Sequence, residues 1–335
     1  MYRSYYGFNA KPFQLKPDPN FFFGSTGHKR AMAYLEYGLS QGEGFIVITG
    51  EVGAGKTTLV RNLFRKLESE KIVAAQIVNT NLDSDDTLKM VAAAFGLPVP
   101  HGNAGKASLL IGLEQFFRQC DQQGKRALLV VDEAQNLSSR TIEELRMLSN
   151  FQTDDKPLLQ TFLLGQPEFR KTMLSSEMQQ LRQRVTATYH LGPMDLAETR
   201  AYIEHRLKTA GWNGNPSFDD DAFAAIHNYT NGIPRKINAL CDRLLLMGYL
   251  EQLHNFGSPE VNEVIRDVQH EFDMSVAMGD MPGEEETAAD RDRAESLRRL
   301  EEMAGRVANL EESVVSLMIL VKRILSLADV SKRLR

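Results

Sequence analysis

Residues 50–57 restrict the possible folds of this chain more than any other stretch. An apolar run at 45–49 precedes them and a helix-like pattern follows from residue 58, which is the setting that a phosphate-binding loop requires. Glycine lets the backbone curl so that its N–H groups point at phosphate oxygens, and the next helix presents its positive end to the same anion. The residues expected to bind a nucleotide are Gly50, Glu51, Val52, Gly53, Ala54, Gly55, Lys56, Thr57 and Thr58.

Three side chains of this loop have distinct expected roles. We expect Lys56 to contact the β- and γ-phosphates, the Thr57 hydroxyl to bind Mg²⁺, and Thr58 to lie near the α-phosphate. The alternative is a chance match in a glycine-rich turn, and the strand and helix patterns on either side argue against it. The loop therefore predicts ATP as the ligand, together with Mg²⁺.

The composition is that of an ordinary soluble protein and gives no strong nucleic-acid signal. The 335 residues suffice for two or three domains, and the net charge of −5 does not favour nucleic acid, although a local basic patch stays possible. Two cysteines in unrelated segments, Cys120 and Cys241, indicate a reducing compartment. The N-terminus lacks a signal-peptide pattern and no apolar run reaches about 18 residues, so we expect a cytoplasmic protein without a transmembrane segment.

Hydrophobic periodicity divides the chain into five parts. Residues 45–192 alternate helical patterns, one of them at 167–182, with five apolar runs, at 45–49, 72–78, 127–131, 158–164 and 185–191. This alternation predicts an α/β domain built on a parallel sheet with helices on both faces. Residues 193–272 contain helical patterns with clear starts and predict a small helical lid. The other parts are an N-terminal strap and helix at 1–44, an acidic linker at 273–295 and a coiled-coil helix at 296–335.

The two terminal parts leave several interpretations open. Aromatic residues are dense in 1–44, where they wall an adenine pocket as well as packing, or only pack on the core, or stack with single-stranded bases. The C-terminal helix repeats apolar residues at steps of three and four, and its apolar face widens near 313–327. That helix could pair with another copy, dock on a partner protein, lie on a membrane surface or pack on its own core.

A second chemical landmark is the apolar run 127–131, which ends in Asp132 and Glu133. Ligands bind at the carboxyl ends of strands in open α/β sheets, so we expect Asp132 to support Mg²⁺ through water and Glu133 to polarise the attacking water. The pair lies beside the phosphate loop only if the two strands are neighbours. The alternative is a helix N-cap with an acidic first turn, and the phosphate loop upstream favours catalysis.

Four polar residues at the ends of later elements are further candidates. Gln166 follows the run 158–164 and could orient the lytic water and sense the γ-phosphate, or be a turn residue. Arg182 and Arg184 precede the last strand, and either could be an arginine finger for a neighbouring subunit, with Arg184 favoured, or a surface charge or helix C-cap. Arg235 begins a helix and could reach over the bound nucleotide, or lie in solvent.

These motifs together resemble those of AAA+ ATPases. More closely, the chain resembles the general secretion pathway protein A group, whose hallmarks stand here at 6–8, 11–13, 17–19, 131–137 and 164–168. Within that group, 43–56 and 144–151 resemble the secretion ATPases of exosortase (PEP-CTERM) loci, which are associated with exopolysaccharide production and protein sorting at the envelope. The resemblance covers 1–255 and does not extend to 273–335.

The resemblance implies a P-loop AAA+ parallel-sheet domain with a helical lid, and it assigns roles to matching residues. Lys56 and Thr57 would bind phosphate and Mg²⁺, Asp132 would support the Mg²⁺, and Glu133 would be the catalytic base. Gln166 would stand at sensor 1, where many AAA+ proteins have Asn. Arg184 would be the finger and Arg235 would be sensor 2.

We therefore expect an ATP hydrolase that forms a ring or helical homo-oligomer, since the finger must come from a neighbour. Its C-terminal helix would engage a protein partner at the inner membrane, which implies a peripheral location there, in an export or exopolysaccharide system. Two alternatives stay open. One is a DNA-binding AAA+ regulator of the transposition type, which predicts salt-dependent DNA affinity. The other is a nucleotide-gated oligomeric scaffold with little turnover.

Overall fold

The computed structural model describes residues 2–16, 18–42, 44–66, 71–78, 84–98, 105–153 and 156–279. The chain divides into two compact units, 1–268 and 269–335, and every contact discussed below lies within the first. The predicted coiled-coil helix at 296–335 and most of the predicted linker at 273–295 lie outside the described residues.

A five-stranded sheet carries the phosphate loop. Its strands are β1 (Phe45–Gly50), β2 (Ile72–Ile77), β3 (Arg126–Val131), β4 (Leu159–Gly165) and β5 (Val185–Leu191). They stand in the order β2-β3-β4-β1-β5, and every neighbouring pair is parallel. All residues of β1 and β4 are buried, because helices cover both faces of the sheet. The predicted α/β fold with a parallel sheet is confirmed.

The helices cover the sheet and build the lid. They are α1 (Tyr2–Tyr6), α2 (Thr26–Gln41), α3 (Lys56–Lys66), α4 (Ser84–Ala94), α5 (Lys106–Gln122), α6 (Ser139–Leu148), α7 (Pro167–Leu174), α8 (Gln179–Arg182), α9 (Leu196–Thr209), α10 (Asp220–Thr230), α11 (Pro234–Leu250) and α12 (Ser258–Gly279). Helices α2 and α3 bury their apolar sides on one face of the sheet. Helices α4 to α7 bury theirs on the other face.

One predicted helix, 167–182, is interrupted. Helix α7 ends at Leu174, Ser175 is extended with φ −64° and ψ 158°, and a single 3₁₀ turn over Ser176–Met178 leads into α8. Two consecutive serines explain the break, because their hydroxyls compete for backbone groups and favour caps and turns over helix interiors.

The lid consists of α9 to α12 and one very short strand pair. Strands β6 (Ser217–Phe218) and β7 (Asn255–Phe256) pair in parallel, and two residues are too few to show a periodicity in sequence. Helix α12 continues to Gly279, so the start of the predicted linker is helical. No proline interrupts the chain there before Pro282.

Most aromatic side chains of the strap belong to the core of the lid. The Tyr6 hydroxyl donates to the carbonyl of Leu253 at 2.9 Å, and the Tyr2 hydroxyl donates to Asp242 Oδ1 at 2.6 Å. The strap and the lid therefore share one apolar core, to which the strap contributes Tyr2, Tyr6, Phe8, Phe13 and Phe21.

The contact between strap and lid gives a stability prediction at Gly248 in α11. A Cβ atom there would lie 2.5 Å from the hydroxyl of Tyr6 and would also meet the ring of Phe256. We expect Gly248→Ala to lower the free energy of unfolding by about 1–3 kcal/mol, as overpacking of a core does. Denaturant unfolding measures this change.

The matched control is Gly112→Ala in the interior of α5, where an added Cβ would meet nothing within 4 Å. Alanine should there raise the free energy of unfolding by about 0.5–1 kcal/mol, because it restricts the unfolded chain more than glycine does. Equal effects at the two positions would contradict the packing described for Gly248.

Candidate active site

The phosphate loop joins β1 to α3 and has the backbone that its glycines allow. Gly53 has φ 82° and Gly55 has φ 100°, both in the region that disfavours other residues. A Cβ on Gly55 would also lie 2.7 Å from Nε2 of His28. The loop is thus closely packed as well as tightly curled.

Lys56 is the first residue of α3 and turns its ammonium group back onto the loop. Its Nζ donates to the carbonyl of Gly50 at 2.7 Å and to that of Glu51 at 3.1 Å. Burial lowers the pKa of Lys56, and the carboxylates of Glu133 and Asp132 oppose that shift. A bound phosphate group would be a further anionic partner for this buried ammonium.

Thr57 and Asp132 are in contact, although Thr57 follows β1 and Asp132 follows β3, and these two strands are not neighbours in the sheet. Strand β4 lies between β1 and β3, so the condition that the two strands be adjacent was wrong. The Thr57 hydroxyl nevertheless donates to Asp132 Oδ2 at 2.8 Å, and Asp132 is only 2% exposed. The contact forms because α3 packs across β4 and β3, where it shares a core with Leu128 and Phe162.

Glu133 points its carboxylate at two glutamine side chains. Its Oε2 accepts from Nε2 of Gln135 at 2.6 Å and from Nε2 of Gln166 at 3.2 Å. The Gln135 side chain also accepts from the backbone N–H of Gln166 at 3.0 Å. Gln135 therefore joins the ends of β3 and β4 and fixes both candidate residues, Glu133 and Gln166.

The ionisation of Glu133 follows from these contacts. Burial would raise the pKa of Glu133, but the hydrogen bonds from Gln135 and Gln166 and the charge of Lys56 outweigh it, and the net shift is downward. The carboxylate is thus held in its charged form at neutral pH, as a general base must be.

The lid contacts the phosphate loop directly. The backbone N–H of Arg235, in the first turn of α11, donates to the carbonyl of Gly53 at 3.2 Å, and a Cβ on Gly53 would overlap the Arg235 side chain. Strap, loop and lid together line one cavity, which includes Phe21, Phe22, Phe23, Lys56, Glu133 and Arg235. The strap aromatics thus pack in the lid and also line this cavity.

The two candidate finger arginines do not join this cavity. Arg184 precedes β5, at the amino end of the parallel strands, whereas the phosphate loop lies at their carboxyl end. Its Nη1 donates to Ser149 Oγ at 2.9 Å. Arg182 Nη1 donates to the carbonyls of Met173 and Ser175, at 2.7 Å and 2.6 Å, which lie at the break after α7. Arg182 thus has a structural role in its own chain.

Sequence reasoning missed three residues of the site, namely His28, Gln135 and Asn238. His28 lies in the first turn of α2, and its Nδ1 lies 2.7 Å from the Ser25 hydroxyl. Burial lowers the pKa of His28, so the ring is held neutral. No sequence signal marks His28 or Asn238, whereas Gln135 stands two residues after Glu133 and within the motif at 131–137.

Comparison with known proteins agrees with this geometry. Residues 39–173 match the family described as an AAA domain. General secretion pathway protein A of Aeromonas hydrophila is 39% identical over 254 residues, which are 76% of this chain and 46% of that protein. The chain belongs to the AAA+ ATPases of the general secretion pathway protein A type. It spans a little under half the length of this relative.

Solved structures show the same fold at low sequence identity. The ORC2 protein of Aeropyrum pernix matches with a TM-score of 0.60 and 15% identity, over 77% of this chain and 71% of that one. Cdc6p of Pyrobaculum aerophilum matches with a TM-score of 0.56 and 15% identity, over 72% and 67%. Both share the fold of this chain.

Within the part of the chain that the structure describes, no helix is both long and apolar enough to cross a bilayer.

Gln135 gives a prediction about pH. Gln135→Met removes a hydrogen bond to the charged carboxylate of Glu133, so the pKa of Glu133 should rise. If Glu133 is the base, ATP hydrolysis needs it deprotonated, and the acidic limb of the kcat–pH profile should therefore move to higher pH. Steady-state rates across pH measure this shift.

Gln122→Met, at the exposed end of α5, is the matched control and should leave the profile unchanged. An acidic limb at the same pH in Gln135→Met and the native protein would show that Gln135 does not control the ionisation of Glu133.

Proposed function

We propose that this chain hydrolyses ATP to ADP and phosphate at the junction of β1, β3, β4 and α11. The observation that carries the proposal is the convergence of Lys56, Thr57, Asp132 and Glu133 on one side of a cavity that the lid closes from the other. A loop that binds the phosphates and a base at the end of β3, two strands away in the sheet, are the two elements that phosphoryl transfer to water requires.

The donor set suits Mg²⁺ bound together with the nucleotide. Thr57 offers a hydroxyl oxygen and Asp132 a buried carboxylate, and these oxygens lie within 2.8 Å of one another. Mg²⁺ prefers oxygen ligands and is usually held by one or two protein groups plus substrate phosphates and waters. Bound there, it would neutralise charge on the phosphate oxygens.

The protein's own residues would then complete the reaction site. Glu133 would take the proton of the attacking water, while Gln135 and Gln166 orient its carboxylate. Lys56 would exchange its hydrogen bonds with the loop carbonyls for bonds to the β- and γ-phosphates. Arg235 begins α11 beside the loop and would report the nucleotide state to the lid.

We propose that Arg184 acts on the nucleotide of a neighbouring copy, in a ring or helical homo-oligomer. Its position at the amino end of the sheet supports this proposal, because there it lies outside the cavity of its own chain. Arg182 stays the alternative finger, and its Nη1 is held by the backbone carbonyls of Met173 and Ser175 as Nη1 of Arg184 is held by the carbonyl and hydroxyl of Ser149.

The cellular process is proposed from the relative of the general secretion pathway. ATP-driven movement of the lid would assemble or remodel an envelope export system. The sequence resembles the ATPases of exosortase loci, so this system would be one for exopolysaccharide production or protein sorting. Residues 296–335 would dock on a protein partner at the inner membrane, so the chain would be cytoplasmic and peripheral there.

Two substitutions separate nucleotide binding from hydrolysis. Lys56→Ala should abolish ATP binding, because the loop loses its only side-chain cation. Glu133→Gln should retain ATP and lower kcat by about 10²–10⁴-fold, the usual effect of losing a general base. Equilibrium ATP binding and single-turnover hydrolysis measure the two effects. Tight ATP binding by Lys56→Ala would contradict the assignment of Lys56 to phosphate binding. An unchanged rate in Glu133→Gln would contradict the assignment of Glu133 as the base.

A mixing experiment tests Arg184. Arg184→Ala alone should bind ATP and lose about 10³–10⁵-fold in rate, as other arginine fingers do. Mixed with Glu133→Gln, it should regain activity, since one variant supplies the base and the other the arginine. Ser149→Ala, which removes a partner of Arg184 and keeps the arginine, is the control. Absence of recovery on mixing would mean that Arg184 does not act across an interface.

ATPase rates with and without DNA, over a range of protein concentrations, distinguish the remaining functions. We expect the specific ATPase activity to rise with protein concentration and to be the same with and without DNA. Strong stimulation by DNA would favour the transposition-type regulator. Oligomers that bind ATP with scarcely any turnover would favour the nucleotide-gated scaffold.

A further inference from the structure

Asn238 lies one helical turn after Arg235 in α11 and lines the same cavity as the phosphate loop. Its side chain is only 6% exposed. Tyr202 Oη donates to Asn238 Oδ1 at 2.9 Å, and Arg206 Nη1 donates to Tyr202 Oη at 3.1 Å. A chain of hydrogen bonds thus runs from α9 to α11 at the cavity wall.

The chemistry of this chain sets the orientation of the Asn238 amide. A guanidinium can only donate, so the Tyr202 oxygen accepts from Arg206 and its single hydrogen is left for Asn238. Asn238 must therefore present its oxygen to Tyr202. Arg206 is itself held in place, because its Nε donates to the carbonyl of Pro12 at 2.6 Å and its Nη2 to that of Gln14 at 3.3 Å.

The amide nitrogen of Asn238 is consequently turned away from Tyr202. Within the part of the chain that the structure describes, Nδ2 makes no hydrogen bond and is not sealed from solvent. It therefore offers two N–H donors at a cavity wall, in a side chain that is otherwise buried. Because this nitrogen reaches the cavity and has no protein acceptor among the described residues, its two N–H groups can donate to a ligand there in place of water.

We propose that Asn238 determines base specificity by donating from Nδ2 to a ring nitrogen of the purine. This deepens the proposed ATP site and rests on it. The phosphate loop forms one part of the cavity lining and would bind the phosphates. The base would therefore bind to the other part, which the strap and the lid form. There Phe21, Phe22 and Phe23 supply apolar ring surfaces, as purine sites require, and Asn238 supplies the polar group.

The unprotonated ring nitrogens of a purine are hydrogen-bond acceptors. Each deaza analogue replaces one of them by a C–H group, which cannot accept. The test measures binding of ATP, 1-deaza-, 3-deaza- and 7-deaza-ATP to the native chain and to Asn238→Leu. One analogue should bind the native chain about 5- to 30-fold more weakly than ATP, as expected for one lost hydrogen bond in a buried site. Asn238→Leu should bind ATP and that analogue equally.

Two further measurements separate base recognition from folding. Tripolyphosphate has no base, so its affinity should be the same for the native chain and Asn238→Leu. Asn238→Asp keeps the shape, replaces the donor by an acceptor and adds a negative charge, so it should weaken the binding of ATP more than that of tripolyphosphate. Tyr202→Phe removes the hydroxyl that orients the amide and should reduce the difference between ATP and the sensitive analogue.

Two results would overturn the assignment of Asn238. These are equal binding of all three deaza analogues and ATP to the native chain, and a sensitivity to one analogue that persists in Asn238→Leu. Failure of the underlying ATP site looks different, because the native chain would then bind neither ATP nor tripolyphosphate.

Discussion

The hydrogen bond between Thr57 and Asp132 joins α3 to β3 across the intervening strand β4. Asp132 is almost fully buried, and a buried carboxylate is costly unless polar partners surround it. Thr57 can serve as that partner only because α3 leaves the phosphate loop and packs over β4 and β3. The order of the strands, the course of α3 and the convergence of the loop with the acidic strand end thus depend on one another.

The lid and the strap behave as one body, because they share a core that is separate from the two cores of the sheet. That body touches the phosphate loop where the Arg235 N–H meets the Gly53 carbonyl. Glycine is needed at position 53 for the lid as well as for phosphate, since any Cβ would overlap Arg235. Any movement of the lid therefore carries Phe21 and Asn238 with it and changes the cavity.

The conformation of Glu133 is unusual for a non-glycine residue. Its φ of 53° places it in the left-handed region, and such positions persist where surrounding contacts over-determine them. Here Gln135 and Gln166 hold the carboxylate from two strand ends. The same two contacts keep the pKa of Glu133 low despite its burial. Orientation and ionisation of the proposed base thus have one physical origin.

The sequence by itself determined the five strands, the phosphate loop and the helical character of 193–272, because periodicity, glycine placement and helix caps are local properties. It also marked Lys56, Thr57, Asp132 and Glu133, whose spacing from strand ends has a direct chemical meaning.

Only the tertiary structure decided that β4 lies between β1 and β3, that the strap packs in the lid, and that Arg184 lies away from the cavity of its own chain. It alone revealed Asn238, whose importance depends on Tyr202 and Arg206 in another helix. The reason is physical: strand order and buried hydrogen-bond networks are set by contacts between distant segments, and no local pattern of residues records which segments will meet.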